Sequence, residues 1–179
     1  MKILIVGDSF AARYNNGNYL GWSELLEQEY TVTNLAQAGV SEYKILKQIE
    51  SVNLKNFDCV VISHTSPYRV HTRSKIHNTE LHANCDLLLA DIFDKWSFNP
   101  KIRSAKGYFK YHFDIQYYED IYKLLHDKID DLLKNSRVID TKDLKLDQIF
   151  QMHRGTIQHL DEQGNQKMYN RIVSKLNDY

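Results

Sequence analysis

A three-layer α/β/α sandwich around a central parallel sheet, of the flavodoxin-like kind, is the fold the sequence predicts, and three observations predict it. Lys2–Val6 (KILIV) and Asp58–Ser63 (DCVVIS) are apolar without alternation, as strands covered on both faces are. Amphipathic helical stretches separate the strand candidates, at a spacing suited to right-handed crossover connections. Each main strand candidate also ends in small or polar residues, the pattern of a carboxyl sheet edge, where open α/β folds bind ligands. The 179 residues, 42% of them hydrophobic, are expected to form one domain, 1–179, with a mainly helical insertion or cap at about 70–112.

Taken in order, the first strand hands over to Gly7-Asp8-Ser9, and an Asn/Gly-rich loop runs from Arg13 to Asn18. Tyr19 to Gln28 is a helix with Leu20, Leu25 and Leu26 inward. Tyr30 to Leu35 alternates as a second strand ending at Ala36-Gln37-Ala38-Gly39, and Ser41 caps a helix reaching about Ile49. The third strand stops at His64-Thr65-Ser66-Pro67, since proline cannot continue a central strand. Thr79 to Lys95 is predicted helical on Leu81, Leu87, Leu88 and Ile92. Trp96 to Lys110 carries Pro100 and Gly107 and shows no period. Ile115 to Leu133 is the clearest helix, with Ile121, Leu124, Leu125, Ile129, Leu132 and Leu133 three and four apart. Arg137 to Asp140 makes a short fourth strand, Thr141 to Gln158 a loop with a helical turn, and Asp161 to Asn177 a final helix capped by Asp161, with Met168, Ile172, Val173 and Leu176 inward.

Composition excludes several functions. Lys and Arg, 23 together, balance 23 Asp and Glu without any basic run, so nucleic acid is not expected as a partner. No stretch is long and apolar enough for a signal peptide or membrane span, and a soluble cytoplasmic protein is expected. Cys59 falls in a strand and Cys85 on the predicted helix, both as small core residues rather than a disulfide pair. Gly7-Asp8-Ser9 lacks the further glycines of a dinucleotide fingerprint, and no Walker lysine follows it, so no cofactor is expected. His64, His71, His77 and His82 lie close in sequence but show no HExxH, no i/i+4 pair and no cysteine partner, so no metal site is expected either. Aromatics of the insertion and the helix after it, including Trp96, Tyr108, Tyr111, Tyr117 and Tyr118, suit either a sugar or acyl wall or simple packing onto the core. The mixed charges of Glu119 to Lys134 read as a solvated helix face.

Chemistry concentrates at Ser9. A hydroxyl at the head of a helix meets backbone N–H groups and a dipole that favour a developing oxyanion. It needs a base, and His159, in the loop before the last helix, is the candidate.

Together these segments resemble the SGNH (GDSL-like) hydrolase and acyltransferase superfamily, in order and from end to end. Gly7-Asp8-Ser9-Phe10 is similar to its nucleophile block. Asn34-Leu35-Ala36-Gln37-Ala38-Gly39 is similar to the second, whose glycine amide joins the oxyanion hole, and His159 with Gly164 to the block that holds the base. Two positions depart from the pattern. The family's third block ends its strand in Gly-x-Asn-Asp, where this chain has Ser63-His64-Thr65-Ser66. Its aspartate three before the histidine is here Thr156. Thr65 or Ser66 could offer a hydroxyl donor and His64 an imidazole N–H in place of the asparagine, while Asp140, Asp143, Asp147 or a backbone carbonyl could support His159.

The resemblance implies a serine esterase acting through an acyl-enzyme on an O-acyl ester, small or glycan-linked. It implies Ser9 and His159 as catalytic residues, Ser9, Gly39 and Thr65 at the oxyanion, and Asp8, His64, Ser66 and Asp140 around the substrate. The alternatives on the same scaffold are a carbohydrate O-acyltransferase and a non-catalytic glycan-binding or scaffolding protein.

Overall fold

The two unbroken apolar runs become the inner strands of a four-stranded sheet. The computed structural model describes residues 1–13, 19–73, 84–93, 98–155 and 159–178. Its elements are β1 (Lys2–Gly7), α1 (Trp22–Glu29), β2 (Thr31–Asn34), α2 (Glu42–Glu50), β3 (Cys59–Ser63), α3 (Leu89–Phe93), α4 (Pro100–Tyr111), α5 (Ile115–Leu133), β4 (Val138–Asp140), α6 (Leu146–Met152) and α7 (Glu162–Asn177). Strand order is β2-β1-β3-β4 and every pairing is parallel, with Ile3 opposite Val32 on one side and Cys59 on the other. The chain leaves β1 for β2 on one flank and later reaches β3 on the other, so the order reverses between β1 and β3. A crevice for ligands opens at such a switch point.

Side chains alternate across β1 into two cores. Ile3 and Ile5 pack with Trp22 and Leu26 of α1, Ile149 of α6, and Met168, Ile172 and Leu176 of α7. Leu4 and Val6 pack on the opposite face with Ile45 and Ile49 of α2 and Ile129 and Leu133 of α5. Helices therefore cover both faces, and the predicted three-layer α/β/α class holds. A third apolar cluster gathers Val70, Ile92, Ile102, Ala105 and Phe109, with Phe113 and Tyr118 against it.

Several elements differ from expectation. Trp22, the fourth residue of the predicted first helix, is fully buried while Leu20 lies outside α1 and is exposed, because the helix starts only after Gly21, whose N–H bonds Glu24 Oε2 at 2.8 Å. Of the helix expected at 79–95, residues 79–83 and 94–95 lie outside the description. Cys85 lies outside any helix, Leu87 pairs with Val70 in an antiparallel bridge, and among the described residues of that stretch only Leu89–Phe93 is helical. Both cysteines are buried and free, as expected. Residues 100–111, expected to be irregular, form α4: Pro100 takes the first turn, where its missing N–H costs nothing, and Asn99 caps by accepting from Lys101 N. α6 is a full two turns rather than one turn in a loop. α5 and α7 fall where their periodicity places them. Leu124 of α5 is nevertheless 63% exposed, since the buried stripe runs instead through Ile129 and Leu133.

Candidate active site

β1 ends on Gly7 with φ +148°, a conformation that L side chains rarely adopt. A Cβ there would also sit 2.5 Å from the Ser63 carbonyl oxygen of the neighbouring strand. Gln48, reaching from α2, holds the Gly7 peptide on both sides: its Oε1 accepts from Gly7 N and its Nε2 donates to Gly7 O. The chain then turns. Asp8 O accepts from Ala11 N and Ala12 N, and Asp8 Oδ1 accepts from Phe10 N at 3.0 Å. Ser9 therefore stands half-buried on a turn whose geometry is fixed at both ends.

Asp8 is itself buried, which pushes its carboxyl up from 3.8 to about 6 against the opposing pull of Phe10 N–H, the Arg69 charge and Ser63 Oγ. The Ser63 hydroxyl donates to Asp8 Oδ1 at 3.3 Å, so the loops after β1 and β3 are joined beneath the crevice.

The segment after β2 lies alongside. Asn34 Nδ2 donates to Ala11 O while its Oδ1 accepts from Ala36 N, and Gln37 N donates to Gly7 O. Gly39 has φ +69°, and a Cβ there would collide with Cys85 Sγ. Its carbonyl accepts from Asp86 N and from Arg69 Nη1, so two separate stretches of chain fix this glycine. Ser41 occupies the cap position of α2, but its hydroxyl makes no cap bond, and its N–H goes to Asp86 Oδ2 instead. A groove of about 250 Å³ runs between Ala12–Arg13 and Ala36–Gln37–Ala38.

His159 comes from the far end of the chain. Its imidazole packs on Phe10, the residue next to Ser9, with ring centroids 5.5 Å apart, and Phe10 in turn meets Phe150 edge-on. Gly155 N donates to His159 O, Asp161 N to His153 O, and Tyr19 Oη to Leu160 O, so the loop is pinned before and after the histidine. Asp161 caps α7 through Gly164 N at 2.7 Å, as its position predicts. Thr156, which stands where the resemblance expects an aspartate, lies outside the described residues, as do Trp96, His77 and His82.

The remaining candidates gather on the opposite side of the crevice. His64 Nδ1 lies 2.6 Å from Glu42 Oε1 and His64 Nε2 lies 3.7 Å from Asp140 Oδ2. Both ring nitrogens thus face carboxylates. Asp140 faces His64 and the N–H of Lys142, where a partnership with His159 was among the expectations. Thr65 is buried, its N–H donating to Glu42 Oε2 and its carbonyl accepting from Tyr122 Oη at 2.9 Å. Ser66 Oγ accepts from Tyr68 N in a local turn. His126 stacks on His64 with centroids 3.9 Å apart and brings Nε2 to 3.4 Å from Glu42 Oε1. Burial pulls the His64 imidazole down, but Glu42, with Asp140 and Asp130 behind it, more than offsets this and holds the ring above its ordinary value; burial and the neighbouring His64 both pull His126 down.

Glu42, Tyr122 and His126 were not foreseen. A signal for them exists in the helical spacing. Glu42 shares a stripe with Ile45, Leu46 and Ile49, and Tyr122 and His126 share one with Ile129 and Leu133, so each is a polar residue at a core-facing position.

The chain is similar to three solved structures. They are a member of the lipolytic protein G-D-S-L family from Veillonella parvula DSM 2008 (17% identity, 97% of each chain, TM-score 0.43), the psychrotrophic esterase EstA from Pseudoalteromonas sp. inhibited by monoethylphosphonate (13%, 99% of this chain and 97% of that one, 0.49), and a catalytic mutant of Axe2, an acetylxylan esterase from Geobacillus stearothermophilus (13%, 98% and 94%, 0.44). No protein-family model and no curated protein sequence matches the chain. Among the described residues no helix is long and apolar enough to cross a membrane.

Proposed function

We propose that this protein is a serine esterase of SGNH type that works through an acyl-enzyme, with Ser9 as nucleophile and His159 as its base. The observation that carries the proposal is the packing of the His159 ring on Phe10, which brings an imidazole from the end of the chain against the turn that bears Ser9. In the reaction Ser9 Oγ attacks the ester carbonyl as His159 takes the hydroxyl proton. The amides of Ser9 and Gly39 receive the oxyanion, with the Thr65 hydroxyl as the third donor in place of the family's asparagine. The intermediate collapses, the alcohol leaves with the proton from His159, and water attacks the acyl group while His159 again accepts a proton. Ser9 is restored and the acid departs.

The groove beside Ala36–Gln37–Ala38 takes the alcohol side of a small or sugar-linked ester, and Asn84, from the segment expected as a cap, lines it. Turnover of short p-nitrophenyl esters and acetylated glycans, together with fluorophosphonate labelling, tests the assignment. Ser9→Ala should abolish labelling, and Ser9→Ala and His159→Ala should each lower turnover by at least about a thousandfold. Undiminished turnover in Ser9→Ala would refute it. Transfer to an added sugar in preference to water would assign the same site to an acyltransferase.

A further inference from the structure

We infer that Glu42, His64 and His126 form a binding site for a divalent transition-metal cation of the zinc class, between α2, the loop after β3, and α5. Among the described residues each of these three brings one ligand atom within 4.8 Å of the other two, and Glu42 Oε1 faces both His64 Nδ1 and His126 Nε2. Two imidazoles and one carboxylate are a donor set that Zn²⁺ accepts, leaving a fourth tetrahedral position for water.

The spacing is close to what a metal requires. Ligand atoms about 2.0–2.1 Å from a tetrahedral centre stand about 3.3–3.4 Å apart. His126 Nε2 and Glu42 Oε1 already stand 3.4 Å apart. His64 Nδ1 and Glu42 Oε1, at 2.6 Å, share a proton that a cation would displace, the pair opening by less than 1 Å. His126 Nε2 is a buried nitrogen without a hydrogen-bond partner among the described residues, an arrangement that costs stability unless something fills it.

The surroundings fit as well. A metal-bound imidazole is oriented by an acceptor at its other nitrogen, and His64 Nε2 faces Asp140 Oδ2 at 3.7 Å. A ligating carboxylate is steadied at its second oxygen, and Glu42 Oε2 accepts from Thr65 N at 3.3 Å. Tyr122 encloses the site by packing its ring on His126 at 4.3 Å. The four histidines adjacent in sequence do not make this site. Of the two that are described, His64 belongs to it, while His71 lies against Asp86 Oδ1 at 3.3 Å.

The inference is separate from the esterase steps proposed above, in which the Thr65 hydroxyl, and not the His64 imidazole expected as its alternative, is the third oxyanion donor. Calorimetric titration of the chelator-treated full chain with Zn²⁺ should give one tight site and a raised melting temperature that chelator reverses. Loss of an outer-shell partner alone typically costs about 10–100-fold in affinity, so removal of a ligand in His126→Leu should cost at least about a hundredfold. His71→Ala, outside the cluster, should bind as wild type does. Should His126→Leu fail to fold, X-ray absorption of the zinc-loaded wild type decides alone: two imidazoles with oxygen donors support the site. No Zn²⁺ binding by wild type, equal binding by a folded His126→Leu, or a bound zinc without two imidazoles overturns it.

Discussion

The two flanks of the sheet's carboxyl edge hold their polar groups in opposite ways. On the Ser9 flank, the His159 ring rests on aromatic packing: Phe10, the residue after Ser9, joins it to Phe150 and to the core that α1, α6 and α7 share. On the Glu42 flank nearly every polar atom meets another. Glu42 takes His64 and Thr65, Tyr122 takes Thr65, and His126 stacks on His64. The first arrangement seats an imidazole against an aromatic ring next to Ser9. The second ties three elements together and suits a fixed ligand set more than a nucleophile. The flanks meet at Gly7, Asp8 and Ser63, so the sharpest experiments ask whether they can be disturbed separately.

Gly7→Ala should damage both flanks at once and have the largest effect. The residue needs φ +148°, and its Cβ would lie 2.5 Å from Ser63 O and 2.8 Å from Ser63 Cβ. Backbone strain and overpacking of about 1–3 kcal/mol each give a loss of about 2–6 kcal/mol, a large part of a typical domain's stability. Denaturant unfolding measures it. A variant with wild-type stability would mean that the ends of β1 and β3 are not rigidly joined.

Asp8 lies at the same junction and gives the comparison a pH axis. Its carboxyl, at about 6 in the folded chain against an ordinary 3.8, holds its proton longer when folded than when unfolded. The folded state therefore loses stability as pH rises from about 4 to 6, by up to about 3 kcal/mol above that window. Asp8→Asn keeps an acceptor for Phe10 N–H and Ser63 Oγ but cannot ionise. It should unfold like wild type below pH 4 and become progressively more stable than wild type up to pH 7. Parallel stability curves across that range would remove Asp8 as their cause.

The flanks also differ in how much of them could be read before the fold was known. Ser9 and His159 stand beside elements whose patterns are strong, β1 and α7, and the order of the strands, which the apolar runs at β1 and β3 announce, sets the sheet edge at which Ser9 stands. Glu42 and His126 belong to helices that were correctly located, yet their side chains occupy core-facing stripes that a binary apolar/polar reading assigns to hydrophobic residues. Only the meeting of α2 with α5 over β3 reveals that these exceptions face each other. The insertion was hard to read for a different reason. Pro100 and Gly107 look like breakers, but proline is compatible with a first turn, and Gly107 has open space around its Cα. Ser41 is a further lesson in tertiary override, since Asp86, distant in sequence, claims the backbone that a local cap would have organised.

Phe10→Ala tests the Ser9 flank by itself. The ring is half-buried, so the stability cost should fall below the 3–5 kcal/mol of a fully buried phenylalanine, at about 2 kcal/mol. Loss of the surface against which His159 rests should lower ester turnover about 10–100-fold, since small misplacements of a catalytic group have effects of that order. Zn²⁺ affinity should stay at the wild-type value. A fall in both would show that the flanks are one structural unit.

Tyr122→Phe is the complementary and smallest change. It deletes a hydroxyl that donates to Thr65 O at 2.9 Å and leaves the ring against His126. Burial pushes the phenol up, further helped by Glu42, Asp140 and Asp8, so the donor keeps its proton across the working pH range and the bond persists throughout it. Its loss should cost about 1 kcal/mol of stability. With Thr65 held at its N–H by Glu42 but released at its carbonyl, the Thr65 hydroxyl loses part of its aim. If that hydroxyl is the third oxyanion donor, kcat should drop several-fold with KM unchanged, because the interaction matters in the transition state and not in substrate binding. Unaltered kcat in a folded Tyr122→Phe would confine the Glu42 flank to holding structure and metal, and would leave the oxyanion to the amides of Ser9 and Gly39.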